Sequence, residues 1–156
     1  MKSILILLMV LAGSAAYSAQ TPDGNYALDK THAHVGFSVR HLGFSNVIGR
    51  FNSFDGQFVF QANGNSEVQF TIDASSVDTN NKRRDNHVRS DDFFDVASYP
   101  QIGFKSTQFT YDENGDPATI TGPLSFHGET KEVTFKVSNV GAGTFNGKNR
   151  AGYMAT

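Results

Sequence analysis

The span Ser76–Phe94, SVDTNNKRRDNHVRSDDFF, concentrates four basic residues, four acidic residues and a histidine, and Asp95 adds another acid directly after it. Within it, Asp85, His87 and Ser90 are the residue types of a hydrolytic triad. On a helix, however, residues two apart point away from each other, so Asp85 cannot orient His87 without a break. No Gly-x-Ser-x-Gly elbow occurs in the chain, and a nucleophilic serine of that kind needs one. The charges fit helix chemistry better. Asp78 to Lys82 and Asp85 to Arg89 are acid-then-base pairs four apart, the favourable order along a helix. Ser90 before Asp91 and Asp92 reads as the cap and first turn of a second short helix. Phe93, Phe94 and Val96 give the excursion an apolar side to bury. The segment is expected to form a self-paired helical cover packed on the end of a larger element.

The other histidines are more scattered. His32 and His34 would share one face of a strand and could chelate a metal if a neighbouring strand supplied a third ligand. That face also carries Gly36, Ser38 and Arg40, so it reads as solvated surface, and neither metal nor cofactor is expected. His41 has the opposite parity, at the end of an apolar face, where an imidazole can bond a ligand head group or satisfy nearby backbone groups. His127 falls in a turn.

These side chains have to be placed by strands. From Ala33 the sequence alternates, with Val35, Phe37, Val39 and His41 on one face. Phe54, Phe58 and Phe60 share one parity, as do Val68, Phe70 and Ile72, with the turn ANGNS between the two runs. After the charged span, Ile102 and Phe104 alternate, the turn DENGDP follows, and then Ile120, Leu124 and Phe126 share a face. Across HGETK, Val133, Phe135 and Val137 continue the pattern, and NRAGYMAT begins one more strand. Short strands, short turns and a single apolar parity imply an antiparallel sheet curled into a barrel, which hides one face and protects its edges. Such a barrel either fills its interior with side chains or leaves room for one apolar ligand.

Composition narrows the function. With 156 residues the chain suits a single domain. Fourteen Phe and fifteen Gly with no Trp favour strands and turns. The absence of cysteine removes disulfides and thiolate metal sites. A formal charge of -2 offers no basic surplus for nucleic acid. Residues 1–19 read as a secretory signal: Lys2 precedes an apolar run from Ile4 to Leu11, and small residues between Ala16 and Ala19 suit cleavage. Residues 20–156 then form the exported domain, and no later segment is long and apolar enough for a membrane helix.

The stretch SVDTNNKRRDNHVRSDDFFDVASYPQIGFKS closely resembles the central signature of the YceI family, the lipocalin-like periplasmic polyisoprenoid-binding proteins. THAHVGFSVRHLGFSNVIGRF resembles the opening strand and turn of that family, and ITGPLSFHGETKEVTF with NRAGY resembles its late hairpin and closing region. The resemblance implies an extended eight-stranded antiparallel barrel whose apolar interior holds a long-chain isoprenoid, polyprenyl or quinone-type, in a carrier or reservoir without enzymatic activity. By position it implies that Phe37, Val39, Phe54, Phe58, Phe70, Ile72, Phe104, Leu124, Phe126, Val133 and Phe135 line the cavity or fill it, with His41 or Arg40 at the mouth. His34 departs from a small polar residue in the family. The chain also stops at Thr156 where relatives continue, so the barrel is expected to lack C-terminal strand structure. An open edge of that kind would invite pairing with a second copy as a homodimer. The competing expectation is a metal-binding or stress-related structural protein whose barrel is filled by its own side chains.

Overall fold

The computed structural model describes residues 20–62 and 64–156, so the expected signal segment and Asn63 of the ANGNS turn lie outside the described residues. Eleven strands and one helix follow in the order β1 (Gly24–Ala27), β2 (Val35–His41), β3 (Ser45–Phe51), β4 (Phe54–Phe60), β5 (Glu67–Asp73), β6 (Val77–Asp78), α1 (Lys82–Arg89), β7 (Gln101–Lys105), β8 (Gln108–Tyr111), β9 (Pro117–Phe126), β10 (Glu129–Phe145) and β11 (Lys148–Ala155). The main sheet runs β1-β4-β5-β7-β9-β10-β11, with β8 also paired to β9, and a smaller sheet runs β2-β3-β6. The strand pairs are antiparallel. The fold is thus all-β, and the main sheet is a nearly closed barrel.

Local chemistry explains the meander at its C-terminal end. His127 and Gly128 lie at φ 50° and 74°, and Phe126 faces Glu129 across them. Asn146 and Gly147 lie at φ 52° and 73°, and Phe145 faces Lys148. Two successive left-handed residues match the right-handed twist of the flanking strands, which is why Asn-Gly favours this two-residue hairpin. β10 runs well past Val137, where the alternating pattern ends, because β11 supplies a partner as far as Phe145. A register shift between Asn139 and Gly141 leaves Val140 as the extra residue of a bulge.

Cross-strand register carries the apolar parity from strand to strand. Phe54 faces Ile72 and Phe58 faces Val68; Phe70 faces Phe104, Ile72 faces Ile102, and Phe104 faces Leu124. At one end, Phe51, Ile72, Ala74, Val77 and Ile102 form a buried cluster with Phe37, Phe54, Phe70, Val88, Phe94, Val96, Leu124 and Phe126 packed against it. The charged span therefore does pack on an end of the barrel.

Its internal wiring differs from expectation. Only one helix forms: Ser90 closes α1, its N–H bonded to the His87 carbonyl, and Ser90 to Phe94 continue as turns. The helix starts at Lys82, capped by Asn81, so Asp78 lies outside it on β6 and bonds Arg50 at 3.1 Å instead of Lys82. Asp85 is buried and accepts from the Thr79 N–H at 2.8 Å and hydroxyl at 2.5 Å. Arg89 donates to the Ser75 and Val77 carbonyls at 2.6 Å. An exposed pair four apart on a helix contributes only about 0.3–0.5 kcal/mol. An unmet buried backbone group costs about 1–3 kcal/mol, so backbone demand wins.

The two edges of the main sheet, β1 and β11, are drawn together by side chains. The Tyr153 hydroxyl bonds Thr21, and Arg150 reaches Asp29 at 3.4 Å. Between β7 and β8 the chain crosses tightly over β9 at Gly122. A Cβ there would fall on the Lys105 carbonyl oxygen and within 3.0 Å of the Ser106 Cα. Backbone cannot move aside as a flexible side chain can. Gly122→Ala should therefore lower stability by about 1–3 kcal/mol in urea melts, whereas Gly103→Ala, with open space at its Cβ position, should change it far less.

Candidate apolar ligand site

The inward face is organised as three groups of rings along the barrel. In the first, Phe58 meets Tyr26 at 6.0 Å, Phe60 at 6.0 Å, Phe109 at 6.4 Å and the edge of Tyr153 at 5.5 Å. In the middle, Phe70 stacks on Phe104 at 5.1 Å, and Phe135 stands edge-on to Phe104 at 5.2 Å. At the covered end, Phe37 meets Phe51 at 5.5 Å, Phe51 meets Phe94 at 6.2 Å, and Phe94 stands edge-on to Phe126 at 5.0 Å. Offset and edge-on pairs of this kind add about 0.5–1.5 kcal/mol each beyond their area burial.

Burial divides the inward-facing residues into two groups. Phe60, Ile72 and Phe104 are buried. Phe37, Phe54, Phe58, Phe70, Leu124, Phe126, Val133 and Phe135 share the inward parity but are only half-buried. Two of the sequence-derived candidates lie elsewhere. Val39 is 56% exposed, and His41 is exposed on the far half of the β2–β3 hairpin, because the apolar parity of β2 leaves the barrel body after Phe37.

Polar groups gather around the first ring group. The Tyr26 hydroxyl donates to the Pro22 carbonyl at 2.6 Å, and Tyr111 donates to Ser66 at 3.0 Å. Thr21, Ser66 and Asp116 are buried, and the Oδ1 atoms of Asp116 and Asn139 are buried without a partner among the described residues. Burial is the main reason the Tyr153 hydroxyl is pushed up to about 12; the Thr21 bond opposes this and the nearby Asp116 charge adds to it. Tyr26 is raised as well, by burial and by Asp23. Sequence reading missed Tyr26 because β1 has only four residues, and it took Tyr153 as ordinary strand. The alternation of Phe109 and Tyr111 was the available signal for β8.

The hydrolytic and metal arrangements are not assembled. Asp85 serves Thr79, while His87 bonds Asp92 at 3.1 Å and Ser90 donates to the His87 carbonyl. His32 and His34 precede β2 instead of sharing a strand face. His32 bonds Asp29 at 3.1 Å, and the His34 ring lies where a Cβ on Gly36 would be. Among the described residues no group of three or more such side chains could hold a metal ion.

Comparison with known proteins agrees with this geometry. The sequence matches the YceI-like domain over residues 26–155. The chain belongs to the YceI family. A relative from Pseudomonas aeruginosa strain LESB58, called UPF0312 protein, is 45% identical over 136 residues, covering 84% of this chain and 70% of the relative. Among solved structures, the Campylobacter jejuni YCEI protein is 32% identical with a TM-score of 0.66, covering 83% of this chain and 77% of that one. A polyisoprenoid binding domain from Saccharophagus degradans, implicated in plant cell wall breakdown, shares the fold at 19% identity and a TM-score of 0.53, covering 74% of this chain and 68% of that one. Among the described residues no helix is long and apolar enough to cross a membrane.

Two consequences can be measured. Phe94→Ala should cost about 2–3 kcal/mol in chemical denaturation, since its ring sits between Phe51 and Phe126. Phe93, 53% exposed and touching only the edge of His87 among described rings, should cost less than about 1 kcal/mol on the same change. In the unfolded chain Tyr153 titrates near 10.0, whereas the fold keeps its proton to about 12. The contribution of Tyr153 to stability is therefore level below that lower value and falls as pH rises through the interval, because this group then stays protonated in the native state and not in the unfolded one. Tyr153→Phe should make the alkaline decline shallower in pH-dependent melts.

Proposed function

We propose that the chain binds a long-chain isoprenoid, or a related amphiphilic lipid such as a quinone-type one, in the apolar interior of the barrel, as a periplasmic carrier or reservoir rather than an enzyme. The observation that carries this reading is the row of inward rings on β4, β5, β9 and β10 that remain only half-buried among their neighbours. A self-filled barrel would bury them fully, as it does Phe60 and Phe104. Each methylene withdrawn from water contributes about 0.8 kcal/mol, so a branched hydrocarbon chain laid along three groups of rings binds with few polar contacts. The shared fold of the Saccharophagus degradans polyisoprenoid binding domain is consistent with such a ligand. The signal-like residues 1–19 support export.

Specificity then follows from shape more than from hydrogen bonds. An interior lined by Phe, Leu and Val distinguishes chain length and branching, while hydroxyls such as those of Tyr26, Tyr111 and Tyr153 supply polar contact only at one end. The test is lipid extraction and mass spectrometry of protein purified from the exported fraction. An isoprenoid in stoichiometric amount is expected. A cleanly empty protein that also takes up no isoprenoid in a fluorescence titration would sink the proposal.

A further inference from the structure

The half of the β2–β3 hairpin beyond Phe37 is largely open to solvent, with Val47 its half-buried exception. Residues 38–46 are all exposed, and β3 finds a second partner, β6, only at Arg50 and Phe51. An isolated two-stranded ribbon is marginal in water, and one that displays apolar side chains is a liability unless something covers them. This ribbon displays large ones: Phe44 is 94% exposed, Leu42 77% and Ile48 74%. Leu42 is also held at φ 51°, followed by Gly43 at φ 76°. A bulky apolar residue in the left-handed region is uncommon, and such strain persists where it serves function.

Charge indicates what covers the tip. From Lys30 to Phe54 the chain carries no Asp or Glu, although acids outnumber Lys and Arg in the whole sequence. Lys30 and Arg50 are matched by Asp55 and Asp78, but Arg40, beside the tip, donates only to the Gly43 carbonyl among described residues. Exposed Phe, Leu and Ile next to a guanidinium without an acid partner among the described residues, on a hairpin that carries no acid, are complementary to the headgroup layer of an anionic bilayer. The ribbon's free backbone edges limit insertion to that layer, since unpaired N–H and C=O groups do not enter hydrocarbon.

We propose that the tip of the β2–β3 hairpin, Leu42 and Phe44 flanked by Arg40, is a membrane-contact finger that seats the protein on anionic lipid. This extends the lipid-binding reading by naming the surface on which cargo would be exchanged. Its test reads attachment of the protein to vesicles and not cargo uptake, so the two readings fail separately.

Sedimentation with phosphatidylcholine vesicles, with and without phosphatidylglycerol, measures the contact. The wild type should bind the anionic vesicles and release as salt is raised. The double variant Leu42→Asn, Phe44→Ser should lose at least about tenfold in partitioning, given the apolar area removed. Asn tolerates positive φ better than Leu and both positions are exposed, so the variant should keep the wild-type melt. Arg40→Gln should weaken binding to anionic vesicles and leave the residual binding to neutral ones unchanged. Failure of the wild type to bind anionic vesicles at low salt overturns the proposal. So does undiminished binding by the double variant. Self-association that the double variant abolishes, without vesicle binding, would assign the tip to a second copy instead.

Discussion

The stack of Phe70 on Phe104, with Phe135 edge-on beside it, fixes the register of the barrel. Phe70 and Phe104 are direct cross-strand partners, Phe104 faces Leu124, and Phe135 faces Ile120. Because side chains alternate with period two, a slip of one residue in any of β5, β7, β9 or β10 would turn its ring to solvent. The same rings therefore hold the strands in place and form the middle of the surface proposed to take the ligand. On the proposed function, structure and binding surface coincide at these positions, where half-buried Phe70 and Phe135 stand beside a buried Phe104.

Much of this was legible in the sequence, because period-two alternation survives wherever one face of a strand is apolar. The inward set from Phe54 through Phe135 and the position of the charged span at the barrel end both follow from parity and from the Phe-tipped segment. What could not be read there was set by partners distant in the chain. β1 has only four residues and exists because Phe58 and Phe60 on β4 supply its mates. β10 continues through Gly141 and Gly143 because β11 returns along it. Val39 and His41 keep the alternation of β2 while lying beyond the body of the barrel, so parity alone misplaced them.

The charged span shows a different limit. Its helix-like spacing of acids and bases was real, yet the spacing describes what an isolated helix would do. In the folded chain, Asp85 accepts from the buried Thr79 N–H, and the Arg89 guanidinium donates to the carbonyls of buried Val77 and of exposed Ser75. Buried N–H and C=O groups are costly to leave alone, so tertiary demand displaces the weaker surface pairs. The charges thereby anchor the cover to the strand it shields, and Phe94 is delivered between Phe51 and Phe126 as a result.

The two-residue turns at His127–Gly128 and Asn146–Gly147 also bear on time. Hairpins close in about 1–10 μs, faster than pairings that must first shut a long loop. β9, β10 and β11 are joined only by these turns, whereas β1 meets β4 across the whole β2–β3 hairpin and β5 meets β7 across the charged span. Local pairing favours the β9–β10–β11 meander, along with the β2–β3 and β4–β5 hairpins, as early structure of a refolding chain. The pairings across long loops, β1 with β4 and β5 with β7, and the packing of the cover would then join hairpins that are already in register.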